Sequence, residues 1–245
     1  MTKPTFLTQT PIAHRGLHDA AKPENSLAAF RAAIERGYAI ETDVRLTKDN
    51  RLVVFHDDTL TRMTGITRRV NELTAEELSK IPLAGTNERI PLFSEFLKEL
   101  DGKAPLLLEI KNESGANTKA FIGKISEALE GYGGEYAVQS FVPAYVKEFK
   151  RLRPEILCGI LGTAESKKED FGGSRIWRIK AHVVKNMSFN KKIKPDFISY
   201  HFTDYPQKAT EKFKGIKLAW TIRSAADEKI ARRYADNIIF ENYHP

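Results

Sequence analysis

Apolar, β-branched runs of strand length recur along the 245 residues, near 11–14, 38–44, 105–110, 135–139, 157–161, 196–200, 217–221 and 237–241. Helical patterns lie between them, the alternation expected of parallel βα units. Eight such strands close a barrel, so the expected fold is an α/β TIM (β/α)8 barrel forming a single domain over 1–245. The first helix is the clearest: Asn25 or Ser26 supplies its N-cap, Leu27, Phe30 and Ile34 form an apolar stripe, and Gly37 follows its end. Further helices are expected near 94–100, 116–130, 143–152, 172–190, 206–214 and 225–234.

The alternation breaks after the second strand. Between His56 and Pro91 the segments Thr59 to Gly65 and Leu73 to Leu78 are interposed before the next core run. A structureless loop of that length does not suit a compact barrel, so a small insertion over about 57–90 is expected, with a helix near 74–80 capped by Thr74. No internal repeat, low-complexity tract or linker divides the chain.

Two of the strands carry charge where a buried strand should be apolar: Tyr38-Ala39-Ile40-Glu41-Thr42-Asp43-Val44 and Pro105-Leu106-Leu107-Leu108-Glu109-Ile110-Lys111. Alternation puts Glu41 and Asp43 on one face, and likewise Glu109 and Lys111. Ionised carboxylates among Leu and Ile are tolerated when paired, hydrogen-bonded or metal-bound. An ion site inside the sheet is expected. His14 and Arg15 end the first strand, so three adjacent strands deliver three carboxylates, a histidine and two cations to the carboxyl rim, where barrel active sites lie. The alternative is an ion-pair network, Glu41 with Arg15 and Glu109 with Lys111.

Composition narrows the partners. The formal charge of +7 is compatible with nucleic acid, anionic lipid or a small anion. Its basic residues are scattered, with modest clusters at Lys167-Lys168 and Lys191-Lys192-Ile193-Lys194 that read as solvated surface, and no aromatic-interleaved basic motif suggests nucleic acid. The N-terminal decapeptide has no apolar h-region and no run reaches the ~18 apolar residues of a membrane span, so a soluble, cytoplasmic protein without stable membrane insertion is expected. Cys158 is the single cysteine, within Ile156-Leu157-Cys158-Gly159-Ile160-Leu161, and reads as a core thiol. Whether the chain forms a homo-oligomer is open.

Ile12-Ala13-His14-Arg15-Gly16, Pro23-Glu24-Asn25-Ser26, Glu41-Thr42-Asp43, Val53-Val54-Phe55-His56-Asp57 and Leu108-Glu109-Ile110-Lys111 follow one another along the chain. In that order they resemble the glycerophosphodiester phosphodiesterase family, of the phospholipase C-like phosphodiesterase superfamily, whose pattern is HRG, PEN(S/T), ExD, HD and EIK. The likeness is densest over 12–111 and runs more loosely through Gln139-Ser140-Phe141 and Trp220-Thr221 to the last strand. It implies a phosphoric diester hydrolase that converts glycerophosphodiesters to sn-glycerol 3-phosphate and an alcohol.

The resemblance assigns Glu41, Asp43 and Glu109 as metal ligands, and hard oxygen donors select Mg²⁺ or Ca²⁺ over zinc. His14 and His56 are the natural proton-transfer pair, since an imidazole serves as acid or base near neutrality; which does which is open. Arg15, by its planar fork, and Lys111, as a point charge, would hold the anionic oxygens of the small phosphodiester substrate. The nucleophile is either water at the metal or a neighbouring glycerol hydroxyl that gives a cyclic phosphate. His18 and His201 are weaker candidates for substrate contact, and His182 reads as surface. Phe141 and Trp220 offer either an apolar wall or core packing, and the role of Glu241 is open. Lysophospholipase D or sphingomyelinase D-like action is an alternative that would need an apolar groove, and none is evident; a catalytically silent barrel binding phosphorylated ligands is another.

Overall fold

The computed structural model describes residues 5–113, 115–165, 175 and 177–245, so Lys167-Lys168 and the start of the helix expected near 172–190 lie outside the described residues. Among the described residues nine strands form one sheet: β1 (Ile12–His14), β2 (Ala39–Leu46), β3 (Leu52–Val54), β4 (Leu106–Ile110), β5 (Tyr136–Ser140), β6 (Cys158–Gly162), β7 (Phe197–His201), β8 (Ile216–Ile222) and β9 (Asn237–Phe240). Eight of them pair in parallel in the order β1-β2-β4-β5-β6-β7-β8-β9, and β9 closes on β1 through Ile12↔Ile239. This is the expected TIM barrel, and its eight strands fall on the eight apolar runs. β3 is additional: it pairs antiparallel with β2 through Val44↔Val54 and Leu46↔Leu52.

Around the barrel, helices bury apolar faces against the strands. Helix Leu27–Glu35 buries Ala29, Phe30 and Ala33, and Phe30 meets Phe96 of helix Phe93–Leu100 edge-on at 4.5 Å between ring centroids. Ser26 is the N-cap, accepting from the Ala29 amide at 3.1 Å. Asn25, the other candidate, turns to the barrel mouth instead. The barrel interior below the mouth is closed by a short helix, Phe6–Gln9, whose Phe6 and Leu7 join Ile12, Ala39, Leu107, Ala137, Phe197, Leu218 and Ile239 in one apolar cluster. The Asn237 amide anchors this plug by donating to the carbonyls of Phe6 and Thr10.

The segment after β3 has a core of its own. Val53, Phe55, Leu60, Met63, Val70, Leu73, Leu78, Leu83 and Ile90 cluster there. Its helix, Ala75–Leu78, starts with reciprocal capping: the Glu77 amide donates to Thr74 Oγ1 at 3.2 Å, and the Thr74 amide donates to Glu77 Oε2 at 2.7 Å. Cys158 is fully buried and burial pushes its thiol up to about 12, so it stays a neutral core group.

Phe96 is buried without residual exposure between helix and sheet. Phe96→Ala should destabilise the fold by about 3–5 kcal/mol, a fall of roughly 10 °C or more in Tm by scanning calorimetry, because the cavity adds to the lost transfer energy.

Candidate active site

The carboxyl ends of β1, β2 and β4 converge on one cavity of about 290 Å³, lined by His14, Arg15, Glu41, His56, Glu109, Lys111, Gln139, Phe141, His201 and Trp220 among others. Asp43 lies beneath it, fully buried. The register explains the convergence: His14 sits beside Glu41, and Asp43 beside Glu109. A wider cavity of about 670 Å³ continues outward past the shared residues His56, Glu109, Lys111, Phe141, His201 and Trp220. Its walls include Val70, Ile110, Val142 and Val184. This partly apolar chamber, formed by the insertion and the loops after β4 to β6, was not legible in the sequence.

Three carboxylates meet here. One oxygen from each of Glu41, Asp43 and Glu109 lies within 4.8 Å of the others, and all three residues are buried. Burial, with the charges of Asp43 and Glu109 beside it, raises the Glu41 carboxyl well above its usual range. Burial also raises Glu109, and the Asp43 charge adds to it against the pull of Lys111. At Asp43 burial is overcome by Lys111, His56 and Arg15, which hold the carboxyl far below the usual range. Asp43 Oδ1 accepts no hydrogen bond, although Lys111 Nζ stands 3.3 Å away. Two protein cations do not fully offset three buried acids. A hard divalent cation fits: the oxygens are close enough for one ion, the set is all carboxylate, and the groups that burial drives toward protonation would remain ionised around it.

Arg15 is fixed by the loop after β1. Arg15 and Asn25 both have positive φ, 57° and 58°, and the Asn25 amide donates to the Arg15 carbonyl at 2.9 Å. Gly16, at φ +80°, lies so near helix Leu27–Glu35 that a Cβ would stand 2.9 Å from the Ala29 carbonyl carbon, so the tight return requires glycine. The loop thereby aims the Arg15 amide at Glu41 Oε2 (3.1 Å) and the guanidinium at Glu24 (2.7 Å) and Asp43 (3.7 Å). The Asn25 amide donates to Asp43 Oδ2 at 2.9 Å while its oxygen accepts from Thr42 Oγ1. Lys111 Nζ contacts Glu109 at 2.7 Å. The ion-pair alternative thus holds for Lys111 with Glu109, whereas Arg15 reaches Glu41 through its backbone alone.

Each histidine is oriented by an acid. His14 Nδ1 lies 2.5 Å from Glu241 Oε2, and His56 Nδ1 lies 2.6 Å from Asp57 Oδ1. Burial lowers the His14 imidazole, helped by Arg15 and opposed by Glu241. Burial and Lys111 pull His56 down to about 4 against Asp43 and Asp57. Both rings are therefore neutral near pH 7. The carbonyl of His56 is gripped by Arg45, whose Nε and Nη2 donate to it at 2.9 and 2.7 Å while Nη1 reaches Glu113.

A line of ion pairs crosses the mouth. Arg62, from the insertion, donates to both oxygens of Glu24 and both of Asp57 at 2.6–3.1 Å, and Glu24 also receives Arg15. The seven residues expected at the site are thus brought together. Glu24 and Asp57 were present in the matching motifs without a role and Asn25 only as a candidate helix cap, and Glu241 now stands against His14. Arg62 carried no signal, since only the folded insertion brings it near. His18 lies 3.6 Å from Glu241, His201 lines both cavities, and His182 is exposed.

Residues 14–241 match the profile of the glycerophosphoryl diester phosphodiesterase family. A glycerophosphodiester phosphodiesterase of Caldanaerobacter subterraneus subsp. tengcongensis is 38% identical over 161 residues, 61% of this chain and 65% of that protein. Human glycerophosphodiester phosphodiesterase 1 is 31% identical over 160 residues, 61% of this chain and 47% of that protein. The aligned part thus spans less than two thirds of either relative. Among solved structures, a phosphodiesterase of Oleispira antarctica in complex with the product sn-glycerol-3-phosphate shares the fold, with a TM-score of 0.78, 24% identity and coverage of 96% of this chain and 94% of that one. Among the described residues no helix is long and apolar enough to cross a membrane.

Glu241 raises the His14 imidazole both by its hydrogen bond and by its charge. Glu241→Gln removes the charge, so the His14 pKa should fall further; an NMR titration of the ring protons that showed it rising would contradict this electrostatic account.

Proposed function

The chain belongs to the glycerophosphoryl diester phosphodiesterase family, and from that premise we propose that it hydrolyses glycerophosphodiesters, with a divalent metal, to sn-glycerol 3-phosphate and an alcohol. The observation that carries the reading is the set of three buried carboxylate oxygens within 4.8 Å, flanked by two imidazoles and two cations on one cavity. Glu41, Asp43 and Glu109 would hold Mg²⁺ or Ca²⁺. Such an ion supplies Lewis-acid stabilisation of the charge that develops on the phosphoryl oxygens.

The protein groups divide the remaining work. Arg15 and Lys111 bind the two anionic oxygens and keep phosphorus against the carboxylate cluster, with their own positions fixed by Glu24 and Glu109. Their preorganisation matters most as negative charge grows in the transition state. Glu241 and Asp57 occupy Nδ1 of His14 and His56, leaving Nε2 of each ring to exchange a proton with the substrate. Neutral at pH 7, either ring can take the proton of the attacking hydroxyl; the ring that gains it first is then charged beside a carboxylate. The other role is protonation of the leaving alkoxide. Water-soluble diesters in the cytoplasm are the substrates of this reading. The apolar residues of the outer chamber favour one further candidate, a lysophospholipid cleaved in the manner of lysophospholipase D.

EDTA should abolish turnover, and Glu109→Gln should weaken metal binding by calorimetry; full activity in excess chelator would remove the metal from the mechanism. His14→Ala and His56→Ala should each lower kcat by about 10²–10⁴-fold with little change in Tm, the range for losing general acid-base help. With sn-glycero-3-phosphocholine the products should be glycerol 3-phosphate, read with a coupled dehydrogenase, and choline. Phosphocholine as product would mean that the opposite ester is cut.

A further inference from the structure

Gln139 on β5 is a polar side chain of the inner cavity to which neither the metal cluster, the phosphate-binding cations nor the histidines give a task. It is 1% exposed, and its Oε1 is buried with no hydrogen-bond partner. Its register neighbours supply none: Glu109 on β4 is engaged by Lys111, and Gly159 on β6 has no side chain, with the Phe197 ring filling the place where a Cβ would stand. A buried amide left unmatched is unfavourable. Gln139 nevertheless lines the cavity, one strand beyond Glu109 and on the side leading to Phe141 and Trp220.

We propose that the Gln139 amide receives the terminal hydroxyl of the glycerol unit, the hydroxyl farthest from phosphorus. This rests on the proposed hydrolysis of glycerophosphodiesters. With phosphate drawn to Arg15 and Lys111, the hydroxyl next to the phosphoester lies by the carboxylates. The remainder of the glycerol runs round the barrel wall to β5. A hydroxyl both donates and accepts, as an amide does, so either end of the amide satisfies it. An ammonium group would be drawn to the carboxylates instead, and an apolar group would leave the amide unmatched. The residue therefore sets specificity: a diester acylated on that hydroxyl can no longer donate to Oε1, and the site turns against it.

Two ligands that differ only in this hydroxyl provide the test. Calorimetry compares sn-glycerol 3-phosphate with 2-hydroxypropyl phosphate, which keeps the vicinal hydroxyl and lacks the terminal one. Kinetics compares the corresponding choline diesters. Wild type should favour the glycerol ligand by about 5-fold, the factor of roughly one neutral hydrogen bond. Gln139→Leu should reduce that preference to within about twofold at unchanged metal affinity, and Gln139→Met repeats the comparison where leucine impairs folding. Equal losses on both ligands, an unaltered preference, or weakened Mg²⁺ binding would each overturn the assignment. If wild type fails to hydrolyse either diester the functional reading falls, while the calorimetric comparison still decides whether Gln139 reads the hydroxyl.

Discussion

Three carboxylates held out of water within 4.8 Å of one another are the constraint on which the mouth of this barrel depends. Left alone they would repel and take up protons, as the upward displacement of Glu41 and Glu109 shows. Much nearby structure serves to keep them charged. The loop after β1 adopts two non-glycine positive-φ residues, an arrangement that costs backbone strain, in order to bring Arg15 and Asn25 to Asp43. Lys111 follows Glu109 at a spacing of two, just past the end of β4, and so continues its face.

The same constraint explains how much could be read without coordinates. Glu41, Asp43 and Glu109 interrupt apolar runs, and an interruption at period two is visible because a buried strand has little other reason to carry it. The eight barrel strands were legible for the complementary reason, their β-branched continuity. β3 was not, since Leu52–Val54 pairs antiparallel with β2 in a hairpin, outside the parallel βα repeat that made the others visible. The plug helix Phe6–Gln9 spans four residues and owes its existence to the apolar opening it covers, which no local pattern encodes. Asn25 and Ser26 were equivalent as caps until Asp43 claimed one of them. Gln139 shows the same interruption signal as the acids, weakened by neutrality, within Tyr136-Ala137-Val138-Gln139.

Buried ion pairs elsewhere in the mouth secure geometry more than stability. Arg45 and Glu113 are both buried and 3.1 Å apart, and such a pair gains little over an apolar replacement because desolvation offsets attraction. Its geometric effect is specific: two guanidinium nitrogens on one carbonyl define where His56 enters the site. Asp57 then sets the ring. Backbone and imidazole are restrained from different elements, so neither can shift without breaking a charged contact.

Arg62 stands apart because its side chain is 46% exposed while both of its acidic partners are largely covered. One guanidinium joins the acid that steadies Arg15 to the acid that steadies His56. That guanidinium therefore ties the placement of Arg15 to that of His56. Arg62 is the solvent-facing member of this clasp, so salt screens its pairs before it reaches the buried carboxylates beneath.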